Sequence, residues 1–194
     1  MSSAALTRWQ TDRMSRLAQT EAHCVALFLP SGSGAAPVPS LLAEESLQGY
    51  AMLVSGHFQG FCRDLYTECS HICVAAAVPA GLRPAVQAQF GAELKLNTGN
   101  PTVENIRKDF ERFGFQLSLA IDPANLLRIT HLGQLNYWRN SAAHQKTAPP
   151  PAGIPSVLTL TDVQTWRTSC DGLATSLDDI MYHQLLHLLS VAPW

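Results

Sequence analysis

The stretch YWRNSAAHQK, Tyr137 to Lys146, gathers an arginine, an asparagine and a histidine within six positions of a chain that uses charge sparingly. Their types suit them to chemistry at an anion. A guanidinium presents forked N–H donors to paired oxygens. An imidazole exchanges a proton near neutral pH. A carboxamide beside them can orient either the anion or the imidazole. On a helical wheel, at about 100° per residue, Ile129, Leu132, Leu135 and Ala143 fall on one side, and Arg139 lies inside that apolar stripe. A guanidinium left dry and unpaired there is strongly destabilising, so Arg139 requires a partner. Asn140 and His144, four residues apart, are neighbours on the adjoining flank. The proline-rich TAPPPAGIPS follows almost at once, which sets His144 at the last turn, where unpaired backbone carbonyls can orient it. The competing account is plainer: a cation near a helix C-terminus interacts well with the macrodipole.

The elements that must position these three residues read as helices. Leu6, Trp9, Leu17, Cys24 and Phe28 recur at approximately helical intervals before PSGSGAAPVPS, Pro30 to Ser40, breaks the pattern. From Leu41 to Ala77 the spacing predicts one long helix, with Tyr50, Val54, Phe58, Phe61, Leu65, Cys69 and Ile72 facing a core. RPAVQAQFGAEL adds a short helix. In GNPTVENIRKDFERFGF, Asn100 serves as cap, Pro101 fits the first helical position, Val103, Ile106, Phe110 and Phe113 mark the buried face, and Gly114 is a stop. Asp122 caps a helix opened by Pro123 and running toward Ala143. Thr161 and Gln164 form a capping-box signature for a last helix carrying Val163, Trp166, Cys170, Leu173, Leu177 and Ile180. No alternating pattern competes with these, and no internal repeat is present. The expectation is an all-α bundle of five or six helices in one domain, residues 1–194, with loops at 30–40 and 147–158.

A chain of 194 residues suits one domain with a real core. Lys and Arg total 13 against 15 Asp and Glu, so a net charge of -2 gives no long-range attraction to nucleic acid or anionic membrane, and any phosphate binding must be local. Charged residues at 14%, against roughly a quarter in typical globular chains, suggest a surface covered by another protein, a homodimer in its simplest form. Trp138, on the side of its helix away from the stripe, points the same way. Five cysteines without a signal-peptide pattern, and no apolar run of membrane-spanning length, favour a cytoplasmic protein without a membrane partner.

Other residue groups read as structure. Cys69 and Cys73, with Cys62 nearby, form no second pair at finger spacing and behave as buried thiols. His183 and His187 lack the glutamate of a zinc-protease helix, so no metal is expected there. Phe58, Phe61 and Tyr66 read as core. Arg107, Lys108 and Arg112 alternate with Asp109 and Glu111 as a solvated face. A glycine-rich phosphate loop and a GxSxG elbow are both absent, which excludes nucleotide hydrolysis by those routes.

LNYWRNSAAHQ resembles the Arg-Asn-x-x-x-His signature of the HEPN superfamily, the helical domains named for higher eukaryotes and prokaryotes nucleotide-binding. The likeness extends to LQGYAMLVSGHFQGFCRDLYTEC, to GNPTVENI and to LTLTDVQTWRTSCDGLATSLDDI closing in APW, in that order, and covers most of the chain from Leu41 onward. These segments look like prokaryotic HEPN proteins of the ribonuclease-L-like and toxin groups. The resemblance implies a helical bundle that dimerises so that two copies of the motif meet and cut RNA without cofactor or metal. Arg139, Asn140 and His144 are then the catalytic residues, and the products are a 2′,3′-cyclic phosphate and a 5′-hydroxyl. It further implies a toxin or defence effector, with an inhibitory or activating protein partner. Two departures stand out: where many relatives carry an acid in the long helix this chain has His57 or Gln59, and where some toxins carry a modifiable tyrosine it has Lys146. The alternative expectation is a non-catalytic HEPN scaffold that binds a protein or nucleotide, with Arg139 bracing the interface.

Overall fold

A computed structural model describes residues 2–28, 41–144 and 149–194, and among these it is all-α, without a strand. The first helical segment explains its own irregularity. Leu6, Trp9, Leu17 and Cys24 are all buried, but the step of eight from Trp9 to Leu17 overshoots two α-helical turns by nearly one residue. The backbone absorbs the surplus in a π turn, Trp9–Arg13, between α1 (Ala4–Arg8) and α2 (Met14–Phe28). Trp9 is thereby driven fully into the core, where it packs edge-on against Phe58 and donates its Nε1 hydrogen to Asp171 at 2.8 Å.

The long helix forms as its spacing requires. α3 (Leu41–Ala77) buries Tyr50, Val54, Phe58, Phe61, Leu65 and Cys69 along one stripe, with Ile72 half-buried at its end. Shorter helices follow: α4 (Arg83–Gly91), α5 (Lys95–Thr98) and α6 (Val103–Phe110). The cap of α6 is Thr102, not Asn100, and Pro101 precedes the helix: Thr102 Oγ1 accepts the Asn105 N–H, which leaves the Asn100 side chain free for another partner. Asp109, expected in a solvated row, is 1% exposed because its carboxylate caps α5, accepting the N–H groups of Lys95 and Leu96 at 2.9 and 2.8 Å. Gly114 stops the turn after α6 with a φ of 87°.

Two long helices complete the bundle. Asp122 Oδ1 accepts the Ala124 N–H at the start of α7 (Ala124–His144). α8 (Leu160–Leu189) begins earlier than Thr161 would dictate, because Thr159 and Asp162 form the reciprocal capping box. With α1, the π turn and α2 taken as one rod, the described residues form six helices of eight residues or more besides four-residue α5, within the five or six expected. The expected loop 30–40 lies outside the described residues, as do 147 and 148 of the second loop; 149–158 is non-helical and turns at Gly153, φ 86°.

Pairwise bonds fix the packing directions. Glu21 of α2 reaches Tyr50 of α3 and Arg167 of α8, while Trp9 reaches Phe61 of α3 and Asp171 of α8, so α3 and α8 run parallel and the α1–α2 rod antiparallel to both. Along α7, Asn125, His131 and Gln134 bond to Ser176, Ser169 and Trp166 of α8 in reverse order, which makes α7 antiparallel as well. The C-terminal end of α7, which carries Arg139, Asn140 and His144, therefore stands beside the N-terminal ends of α3 and α8.

Candidate functional site

The stripe on α7 fades just where the polar residues begin. Leu132 and Leu135 are buried, Ile129 and Arg139 half-buried, and Ala143, expected on the covered side, is exposed, while Ser141 of the same turn is buried. Arg139 thus occupies the boundary between core and solvent, a position where a long aliphatic stem is covered and its head reaches water. Of the ten arginines, Arg8, Arg13, Arg16, Arg107, Arg128 and Arg167 pair with carboxylates, and Arg83 and Arg112 donate to backbone carbonyls. That leaves Arg63, which is exposed, and Arg139. Among the described residues, Arg139 is the partly buried guanidinium without an ion pair or hydrogen bond.

Asn140 is held from outside its own helix. Its Oδ1 accepts from Asn100 Nδ2 at 2.7 Å. The loop that presents Asn100 is itself clamped from two sides. Gln59 of α3, 8% exposed, donates Nε2 to the carbonyls of Leu96 at 2.5 Å and Gly99 at 2.8 Å. Asn136, one turn before Asn140, donates Nδ2 to the Pro101 carbonyl at 3.2 Å and accepts from buried Ser55 Oγ at 3.1 Å. Gly99 lets the Asn105 side chain close on the same loop: a Cβ there would stand 2.8 Å from the Asn105 side-chain nitrogen. Asn100 escaped the sequence reading because a cap role absorbed it. The signal was present in Thr102, three residues before Asn105 and a sufficient cap by itself.

His144 is the last residue of α7 and exposed, free of the core in the way a mobile proton carrier requires. The chain thus brings Arg139, Asn140 and His144 to one helix end and ties Asn140 alone to another side chain. Lys146 lies outside the described residues. The two candidate acid positions in α3 separate. Gln59 joins the loop clamp, whereas His57 turns toward α2, where burial first, then the positive charges of Arg13 and Arg16, holds its imidazole below the usual histidine range.

Trp138, expected on the outer side of α7, packs against the core instead, sharing a cleft with Leu47 of α3 and with Leu158, which precedes α8. Its Nε1 is buried without a hydrogen-bond partner. It separates two clefts. One, about 580 Å³, is lined by Glu45, Gln48, Met52 and Ser141; the other, about 220 Å³, by Phe28, Glu44 and Val157. Elsewhere, Cys62, Cys69, Cys73 and Cys170 are buried thiols, and burial pushes each of them up from the ordinary cysteine range. His183 and His187 are exposed on α8. Among the described residues no three His, Cys, Asp or Glu side chains gather as a metal site would need, and no helix is long and apolar enough to cross a membrane.

Compared with known proteins, the chain matches no family model, and neither a curated protein nor a solved structure is significantly similar to it.

Proposed function

We propose that this chain is a HEPN-type endoribonuclease that acts as a homodimer, cuts RNA without a metal, and serves as a toxin or defence effector restrained or triggered by a protein partner. The observation that carries the reading is the state of Arg139: half-buried on the core side of α7, on the same final turns as an exposed His144, and without an internal carboxylate among the described residues. A cation kept at that boundary without an internal partner is available to an external anion, and its forked donors fit the non-bridging oxygens of a phosphodiester.

RNA supplies its own nucleophile. The 2′-oxygen attacks phosphorus, the bond from phosphorus to the 5′-oxygen breaks, a proton leaves the 2′-hydroxyl and one arrives on the departing 5′-oxygen. His144 is the group that carries a proton in this exchange. Arg139 stabilises the charge that builds on the phosphoryl oxygens. The net charge of -2 confines attraction to this local cluster.

Expression in a bacterial host tests the reading. The wild-type chain is expected to arrest growth and degrade RNA, Arg139→Ala and His144→Ala to relieve both, and each purified variant to melt within a few degrees of wild type. Growth and RNA left untouched by the wild-type chain would favour a non-catalytic HEPN scaffold.

A further inference from the structure

Asn140 can serve a phosphate site in two opposite senses, as an N–H donor to an oxyanion or as a carbonyl acceptor that holds an imidazole N–H, and its partner across the bundle decides between them. Asn100 donates Nδ2 to Asn140 Oδ1 at 2.7 Å. That bond uses the acceptor end of the Asn140 amide and leaves its NH₂ group as the end that remains to be satisfied. No other hydrogen bond engages the Asn140 side chain among the described residues.

Asn100 is not a loosely held surface residue. Its backbone carbonyl accepts from Asn105 Nδ2 and from the Thr102 N–H, both at 2.8 Å. On either side of it the carbonyls of Gly99 and Pro101 are gripped by Gln59 and Asn136, side chains 8% and 5% exposed. Buried amides are placed where each hydrogen-bonding end has a partner, and here two of them are spent on the backbone flanking one half-buried asparagine. The clamp fixes where residue 100 stands relative to the last turns of α7.

We propose that Asn100 is a positioning residue that sets the polarity of Asn140, so that Asn140 faces the site with its NH₂ group and binds a phosphodiester oxygen beside Arg139 instead of orienting His144. This rests on the endoribonuclease reading for the identity of the ligand, and on the Asn100 Nδ2 to Asn140 Oδ1 bond for the polarity of the amide pair.

The test uses the whole chain and two readouts. In the first, ¹⁵N-labelled protein is titrated with a 2′-O-methyl oligoribonucleotide, which supplies phosphodiesters and cannot be cut, and the side-chain NH₂ resonances of Asn140 are followed. They are expected to shift in the wild type. Asn100→Asp should abolish the shift, since a carboxylate at 100 can only accept and turns the Asn140 amide over. In the second, RNA cutting is compared across variants. Asn100→Asp should lose about 100-fold, the scale of removing one oxyanion donor, and Asn100→Ala, which frees the amide without inverting it, about 10-fold or less. A merely structural role would make alanine at least as harmful as aspartate. If the wild type cuts RNA and Asn100→Asp cuts as well as Asn100→Ala or better, the inference fails while the nuclease reading survives. If the wild type does not cut but the Asn140 resonances shift and Asn100→Asp abolishes the shift, the polarity stands and the nuclease reading falls. Neither cutting nor a shift overturns both.

Discussion

The guanidinium of Arg128 on α7 lies directly over the backbone of Gly172 on α8, where a Cβ would overlap its Nε and Cζ. From that seat Arg128 Nη1 reaches Asp122 Oδ2 at 3.1 Å and the fully buried Asn125 Oδ1 at 2.9 Å. Gly172 is thus what lets α7 and α8 cross with a charged side chain between them. Alanine in place of a helical glycine ordinarily adds about 0.5–1 kcal/mol. Gly133→Ala, mid-helix on α7 with open space around the new methyl, is expected to gain that much in denaturant unfolding. Gly172→Ala is expected to lose about 1–2 kcal/mol instead, because it displaces Arg128 from two acceptors, one of them buried. Equal gains at both positions would show that the seat is unimportant.

Glu21 ties three helices together at the same end of the bundle as the site. Its carboxylate accepts from Tyr50 Oη at 2.8 Å and Gln164 Nε2 at 2.9 Å, and pairs with Arg167 Nη1 at 2.6 Å. Burial, then the bond to Glu21, pushes the Tyr50 phenol upward, so it stays a donor. Glu21→Ala strands a side chain, Arg167, that is 21% exposed. The expected cost is about 2 kcal/mol, or roughly 4–8 °C in melting temperature for a domain of this size. A melting temperature unchanged from wild type would contradict the network's role.

Asp178, 1% exposed, accepts from the Ser3 side chain at the start of α1. Burial raises its carboxyl above the usual aspartate range, against the opposing effect of the Ser3 bonds. The folded state therefore holds this proton more tightly than the unfolded chain. The stability so gained is complete below the unfolded pKa of about 4 and is lost as pH rises through the folded value. Asp178→Asn, which cannot ionise, is expected to flatten that decline in unfolding free energy measured from about pH 4 to pH 7. An identical slope in variant and wild type would place the pH dependence elsewhere.

Gln59 occupies one of two α3 positions where the HEPN resemblance leads one to expect an acid, and the structure gives a reason for the amide. Both of its donor bonds run to backbone carbonyls. Gln59→Glu would set a carboxylate against two acceptors at a site 8% exposed. The expected loss is about 3 kcal/mol, and release of α5 and the 99–101 loop should lower RNA cutting as Asn100→Ala does. Wild-type stability in Gln59→Glu would mean that the loop is held by other contacts.

The helices were legible because burial and period coincide. The stripe from Tyr50 to Cys69 and the run from Val163 to Leu177 follow from the 3.6-residue repeat, and even the π turn is foreshadowed by the eight-residue step after Trp9. Caps were legible only where one candidate stood alone. Asp122 caps α7 as its place ahead of Pro123 implies; Thr159 caps α8 in place of Thr161, and Thr102 caps α6 in place of Asn100, because two hydroxyl or amide residues stand within reach of the same helix start. The wheel sets Arg139 inside the apolar stripe; that the stripe ends there, leaving Arg139 half-buried and Ala143 exposed, follows only from the packing. So does the bond of its neighbour Asn140 to Asn100, across 40 positions, since nothing local in sequence specifies which loop the bundle presses against a helix end.

The account rests on Arg139 and His144 serving an external phosphodiester. The most direct measurement incubates the purified chain with total RNA in the presence of a chelator and identifies the ends produced. The account predicts 2′,3′-cyclic phosphate and 5′-hydroxyl ends, made by the wild type and not by a folded Arg139→Ala or His144→Ala. Intact RNA with the wild-type protein, or cutting that persists in both variants, would contradict it.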